Sequence, residues 1–597
     1  MGQRIPACAS HKLDVLRTAN TAQVDLHWGI DYSPVTSTTA CAAIQATNAS
    51  GRCMGQFGYF FVGSTTVSNT GFADATDQAF YLQDSWTVGT SGLTINAGVR
   101  FDHEHNPAFD PKRFPDINFG WVDKIAPRIG GAYDLLHNGK VKIYASYGKF
   151  FDIMKLGLTR GSFGSDYWHE CHYALDTLDY TSITPTLTTG AGCPPSGPAP
   201  GVNARFIENV DFRATKADPR DPAVQANMKP VQSNVVTAGA DLSLTPNWVL
   251  EARYTRNRLI NTIEDMSITD SLGFYIGNPG RTFADVLHRP TVIPNDAGVE
   301  YLNTTPFCAE CPSVVKPIRR YDGVEFRLTR RGGARWYGTV SYTYSKLRGN
   351  YSGLVDTDPT DGNGGRHSPN NGRAFDLPTM TYLPSGKVDD GPLATDRPHT
   401  AKVWGYYRLP WLGQETSFSV SQAFYQGTPI SSCLPVVGTS SACQWADGRG
   451  NFAKLHRDPN GTIVKDGVIM NARSDPYLQT DVAVRHQIRV SKDNENYKLV
   501  IEGNAYNLFN QHAATSYYQF VVPTNLINPT RPKRFSGDPG TDWAKVMNAY
   551  NYIDALNGTG AFGGAAAQTP LTLANRYGLP QTFQIARQFR FAVRFIF

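Results

Sequence analysis

The side chains richest in coordinating atoms fall in segments with no regular hydrophobic period. Residues 167–173 read YWHECHY and place His169, Glu170 and His172 within four positions. Two imidazoles and a carboxylate can hold a transition metal. The competing reading is an aromatic contact surface, fastened by a bond between Cys171 and Cys193. Farther along, Asp356, Asp358 and Asp361 sit at short spacing in a Gly-rich stretch. Carboxylates so arranged suit a hard cation such as calcium. Their spacing departs from the EF-hand loop, and the Glu expected at its twelfth position is absent, so a flexible solvated loop is the better account. No cofactor is expected.

Covalent chemistry has less support. The chain contains no GxSxG, HExxH or GxxxxGK[ST] sequence, so an enzyme is not expected. The nine cysteines point to an oxidising compartment, because eight are near neighbours: Cys41 with Cys53, Cys171 with Cys193, Cys308 with Cys311, and Cys433 with Cys443. Loop-closing disulfides are the economical reading. For Cys308 and Cys311, a redox pair or half a zinc site stays open. Cys8 is left over, and a lipid-anchored start would need an apolar stretch before it that is missing.

The elements that must position these groups show themselves by alternation. Leu93, Ile95, Ala97, Val99 and Phe101 interleave with Thr94, Asn96, Gly98, Arg100 and Asp102, giving a strand with one greasy and one wet face. No run of 18 apolar residues occurs, which excludes ordinary transmembrane helices but not membrane strands. A net charge of +5 on 597 residues is too diffuse for a nucleic-acid surface.

The pattern predicts about fifteen strands, near 11–17, 22–32, 77–88, 93–104, 123–134, 140–151, 232–244, 248–259, 321–331, 335–347, 397–409, 416–427, 477–490, 497–509 and 582–597. Most approach the 9 to 11 residues a tilted strand needs to cross a bilayer. Short turns alternate with long links, so tight turns gather at one end of the sheet and long loops at the other. The fold expected is therefore all-β, an antiparallel transmembrane β-barrel with long extracellular loops and short periplasmic turns. Trp28, Trp86, Trp248, Trp336 and Trp404 stand near predicted strand ends and suit an interfacial girdle.

In the last strand Phe589, Phe591, Val593, Phe595 and Phe597 form one face, opposite Gln588, Arg590, Ala592, Arg594 and Ile596. Arginine facing lipid is costly, so Arg590 and Arg594 should face the lumen, as should Arg100, Arg128, Arg253 and Arg327. These cations could draw an anionic ligand or plug carboxylates, but pairing with lumen Asp and Glu is favoured. The alternating aromatic terminus resembles the signal read by the outer-membrane barrel assembly machinery.

Several segments in order resemble the TonB-dependent receptors of the outer membrane, in particular the Oar-like group. They are FYLQDSWTV at 80–88, LTINAGVRF at 93–101, APRIGGAYD at 126–134, YASYGKFF at 144–151, NPG at 278–280, VSYTYSK at 340–346, DRPH at 396–399 and NAYNLFN at 504–510. The resemblance covers residues 11–597 and implies a barrel of about 22 strands around an amino-terminal plug. It also implies a TonB box on the plug and, in Oar-like members, a small β-sandwich domain before it. With about fifteen strands read here, the expectation is a partial barrel over 11–597, an unstructured start over 1–10 that marks a truncation point, and an opening set of about seven strands outside the chain.

The function implied is uptake of a large or scarce solute by the intact receptor, with these residues inactive alone. The expected partners are outer-membrane lipid, the assembly machinery, and the TonB complex through the plug; the solute is not readable. Residues 1–8 lack the apolar run of a secretory signal, so location in the outer membrane requires a leader upstream of Met1. A passive porin or adhesin-like barrel is the alternative. A secreted all-β carbohydrate-binding protein or hydrolase is the alternative of another class; it would need a second packed apolar face and a cleft of carboxylates.

Overall fold

The structure is a computed structural model that describes residues 8–15, 23–28, 55–64, 71–107, 116–154, 169–179, 183, 205–211, 225, 227–267, 274–280, 291–294, 300–303, 315–353, 381–435, 443–523, 549–559 and 570–597, apart from 332, 334, 412, 413 and 492–495. None of the helices in these residues is long and apolar enough to cross a membrane. Strands dominate. Fourteen form one antiparallel path in strict chain order: β1 (Cys8–Val15), β2 (Gly71–Thr87), β3 (Leu93–Asn106), β4 (Ile117–Asp134), β5 (Val141–Phe151), β6 (Gln232–Thr245), β7 (Trp248–Asn261), β8 (Arg319–Arg330), β9 (Trp336–Gly349), β10 (His399–Trp411), β11 (Gln414–Tyr425), β12 (Tyr477–Arg489), β13 (Lys498–Tyr506) and β14 (Gln588–Ile596). A fifteenth member, Gly391–Pro392, pairs with the end of β9. β1 and β14 are the two edges of the path.

Local chemistry explains the tight turns. Between β2 and β3, Gly89 and Gly92 take φ of +50° and +73°, a left-handed backbone that glycine adopts without a Cβ clash. Between β4 and β5, Asp134 Oδ2 accepts from Gly139 N at 2.7 Å. Between β6 and β7, Thr245 Oγ1 accepts from Asn247 N at 3.3 Å and Trp248 N at 3.2 Å, a hydroxyl-closed turn.

Register carries one face without interruption around the path. Phe80 opposes Phe101, Ile129 opposes Tyr147, Phe326 opposes Tyr342, and Ile501 opposes Val593. That face stays open: Leu82, Ile129, Phe326, Val340, Phe418 and Phe591 are all exposed. A contiguous exposed apolar band of this height is what a bilayer covers. β2 and β4, at 17 and 18 residues, exceed the bilayer requirement and extend past the band at the end of the long loops.

The apolar cores lie in the loops instead. Leu434, Ile463, Val521, Val522, Tyr552 and Leu556 form one of them, drawn from the β11–β12 and β13–β14 connections. A one-turn helix, Tyr552–Leu556, joins it, capped by the Asn551 side chain accepting from Ile553 N at 3.0 Å.

Three expectations need correction. The strand foreseen at 22–32 exists as Gln23–Trp28 but leaves the wall. It pairs with Gly58–Ser64 in a four-stranded loop sheet that continues through His169–Leu175 to Phe206–Asp211. Any two-faced sheet produces its period of two; here Leu26 packs on the buried Phe60, Val62 and Tyr173. β1 begins at Cys8, inside the segment expected to precede the fold. The last strand spans Gln588–Ile596 rather than 582–597, because Pro580–Phe583 pairs separately with Ala514–Tyr517.

Candidate functional site: the lumen face and its loop-end rim

The second face of the wall is polar. It carries Arg100, Arg128, Arg253, Arg327, Arg590 and Arg594, as alternation required, and most of these have partners. Arg100 meets Asp102 at 2.7 Å, Arg253 meets Glu325 at 2.8 Å, and Arg594 meets Glu502 at 3.0 Å. Arg327 pairs with Glu325 and lies 3.5 Å from Glu251, which Arg331 approaches at 3.4 Å. The Arg128 guanidinium lies 4.5 Å over the Phe150 ring. The lumen wall is thus largely self-neutralised, a ladder of exposed pairs each contributing about 0–1 kcal/mol.

Aromatic placement divides the expected girdle. Trp86, Trp248 and Trp336 share the lipid face at the short-turn end, and Trp248 and Trp336 meet edge to face at 5.8 Å. Trp404 does not join them. It opposes Thr339 and Ser421, on the lumen face, and sits 5.2 Å from Tyr337 and 5.9 Å from Tyr406. The reason is parity: the outward positions of β10 are odd, which places Trp411 on the lipid face instead. Trp28 belongs to the loop sheet.

At the loop end, buried ion pairs stitch loops to wall. Lys124 and Glu104, with 2% and 1% of their side chains exposed, pair between β4 and β3. Glu104 also accepts from Asn106 Nδ2 at 2.9 Å and Met154 N at 2.8 Å, and Lys124 donates to Asp152 O at 3.2 Å. Arg473 donates to Asp396 Oδ2 at 2.6 Å, while Asp396 Oδ1 accepts from Leu347 N at 2.7 Å. Arg449 pairs with Asp389 at 2.5 Å. Lone charges at these depths would be costly, so each pair fixes the placement of the two segments that carry it.

Asn278 and Asn507 act alike without charge. Asn278 bridges Lys229 and Thr262 through its amide. Asn507, at φ of +50°, bonds Gln511 and Ile585, and its N–H donates to Asp481. The short motifs around Asp396, Asn278 and Asn507 therefore act as backbone clamps.

The candidate metal residues fall on the loop sheet. Successive positions of a strand lie on opposite faces, so position 169 lies opposite 170 and 172 within His169–Leu175. His172 is buried, with Phe61 at 5.0 Å. Neighbouring Tyr173 is pushed up to about 12 by burial. Among the described residues no group of three His, Cys, Asp or Glu side chains is placed to hold a metal. Asp356, Asp358 and Asp361 lie outside the described residues, as do Cys41, Cys53, Cys193, Cys308 and Cys311. Cys433 and Cys443 are bonded to each other within the loop cap, and Cys171 is also disulfide-bonded.

Phe589, Phe591, Val593, Phe595 and Phe597 are exposed on the outer face of the edge strand. The buried pairs Lys124–Glu104 and Arg449–Asp389 were missed by sequence reasoning. Alternation marked Lys124 and Glu104 as inward but did not pair them, because the same face also carries Arg100, Asp102 and Arg128.

A meander with an exposed apolar band, a paired polar lumen and all long connections at one end defines an outer-membrane β-barrel. Residues 10–508 match the family described as TonB dependent receptor-like, beta-barrel, and the chain belongs to that family of Gram-negative outer-membrane proteins. Over 537 residues it is 24% identical to the TonB-dependent transporter Oar of Myxococcus xanthus, covering 87% of this chain and 42% of that protein. The chain thus spans less than half the length of this relative. Among solved structures it is similar to the outer membrane transporter YddB of Escherichia coli, at 12% identity and a TM-score of 0.41 over 77% of this chain and 47% of that one. The FrpB iron transporter of Neisseria meningitidis is similar at 10% identity and a TM-score of 0.36, over 76% and 47% of the two chains.

Proposed function

We propose that the chain forms the carboxy-terminal wall of a receptor that binds a large or scarce solute at its loop end and imports it with energy delivered by the TonB complex. The observation that carries this reading is the uninterrupted fourteen-strand path, with every long connection on one end and a charge-paired lumen face. Such a lumen is wide when closed, and in barrels of this class a plug occupies it. The path has two open edges, and the chain matches 42% of its relative. Both support an importing unit with further strands and a plug beyond these residues, so that the fourteen strands alone do not transport. The exposed aromatic face of β14 suits recognition by the barrel assembly machinery. No covalent chemistry is assigned.

The test is uptake in cells carrying the intact gene. Loss of uptake on removing TonB, with the barrel still heat-modifiable in the outer membrane, is the expected result. Unchanged TonB-independent diffusion would favour a passive pore. A chain recovered only from soluble envelope fractions would remove the membrane reading.

A further inference from the structure

The lipid face changes character abruptly near the long loops of β5 to β9. Register places Arg258 opposite Arg320 and Arg320 opposite Arg348, so three guanidinium-bearing residues stand in one row on one face. The row continues through Asn234, opposite Arg258, to Lys149. One step toward the membrane, Arg256 and Lys346 flank Asp322 from either side. Strands lie about 4.8 Å apart, so the row from Lys149 to Arg348 spans about 19 Å.

All six cations share the face of Tyr147, Phe326 and Tyr342, and hence face outward. Like charges directly opposite destabilise a sheet unless something neutralises them. Two carboxylates do part of this. Asp322 pairs with Arg258 at 2.5 Å and accepts from Tyr254 Oη at 2.7 Å, and Asp390 pairs with Arg320 at 2.5 Å. Arg258 also donates to Tyr321 O at 2.8 Å and Asn257 O at 2.9 Å. Arg256, Lys346 and Arg348 are exposed and, among the described residues, form no ion pair; Lys346 lies 5.8 Å over the Tyr344 ring. The matching rim of β11 and β12 presents Phe424 and Leu478 instead.

We propose that this row binds the phosphorylated headgroup of an outer-leaflet lipid. The inference rests on the membrane reading of the wall. Above the apolar band an outward arginine meets headgroups rather than acyl chains, and its planar fork matches a phosphate with two parallel hydrogen bonds. The aromatics directly below would receive the acyl chains, so one lipid satisfies both halves of the surface.

The intact receptor that contains this chain is assembled into nanodiscs of neutral phosphatidylcholine containing a diphosphorylated diacyl glycolipid or its dephosphorylated counterpart, and lipid retained per chain is counted by native mass spectrometry. Phosphorylated lipid should be retained preferentially. Arg258→Gln/Arg320→Gln/Arg348→Gln should cut retention about a hundredfold, the scale of three interfacial cations acting together. Asp390→Asn, which frees Arg320 without deleting a cation, should raise retention, and this arm remains informative if the triple variant folds poorly. Arg330→Gln, outward at the short-turn end, should match the parent, and inorganic phosphate should not displace the lipid. Equal retention of the two glycolipids, retention unchanged in both the triple and Asp390→Asn variants, or displacement by inorganic phosphate would overturn the site. A chain that fails to enter neutral nanodiscs overturns the membrane reading and the site together, whereas entry without phosphate preference overturns the site alone.

Discussion

The wall and the loop cap use the same residue types against opposite surroundings. In the wall Phe591 is 81% exposed, Phe326 48% and Val340 47%, while in the cap Leu556, Val521 and Leu434 are fully buried. The cap behaves as an ordinary water-soluble core, held by apolar burial and the Cys433–Cys443 bond. The wall has no core of that kind along the band; its cohesion comes from ladder hydrogen bonds, with lipid supplying the apolar phase. Hydrophobicity alone therefore does not say where an apolar residue goes. The pairing partner does.

The comparison can be broken most strongly by removing one buried group from each region in turn, beginning with the ion pair at the loop end of the wall. Lys124→Ala should destabilise the loop end of β3 and β4 by about 3–5 kcal/mol, since it leaves Glu104 buried without its cation. Hydrogen exchange at Met154 and along β3 would register the loss, and the double variant Lys124→Met/Glu104→Leu should restore most of it. In the cap, Leu556→Ala should cost about 2–5 kcal/mol. Protease should then cleave the cap while the wall still migrates as a heat-modifiable barrel; simultaneous loss of both would show that cap and wall are one cooperative unit.

A smaller effect separates the two faces of the wall. Phe326→Arg should reduce assembly by about 2–4 kcal/mol if it reaches the bilayer midplane, whereas Thr343→Arg, on the lumen face of the next strand and opposite Glu325, should cost close to nothing. Quantified outer-membrane yield of the two variants tests this. The cap should also respond to alkali. Tyr550, Tyr552 and Tyr577 are raised above the ordinary value of 10.0, each chiefly by burial, and Tyr552 in addition by donating to Asp447 at 2.7 Å. Raised pKa values mean that the folded cap favours the protonated phenols. Their contribution is complete below pH 10 and is lost progressively above it. Cap proteolysis should rise above pH 10. The smallest effect is at the helix start, where Asn551→Ala should cost about 1 kcal/mol of cap stability.

Much of the wall was legible because its signal is local. The alternation from Leu93 to Phe101 specified both face and strand, and the Gly89–Gly92 and Thr245–Asn247 turns specified the ends. The segment at 22–32 misled because a loop-sheet strand backed by Phe60 and Tyr173 has the same period as a membrane strand. Trp404 misled because proximity to a strand end says nothing about parity. At the candidate site the lumen arginines were readable from alternation, but most of their partners were not. Glu325 lies 72 positions from Arg253 and Glu502 lies 92 from Arg594, and register across strands brings them together. The cap core is less local still, joining Leu434 to Leu556 across two separate connections.

The central claim is that one continuous face of the wall meets lipid and the other does not. A photo-crosslinking amino acid placed at position 340 or 341 of β9, and at 326 or 327 of β8, in chains assembled in outer membranes tests it directly. Lipid adducts at 340 and 326 with none at 341 and 327 is the result this structure predicts. Equal adduct yields at neighbouring positions, or adducts confined to 341 and 327, would contradict it.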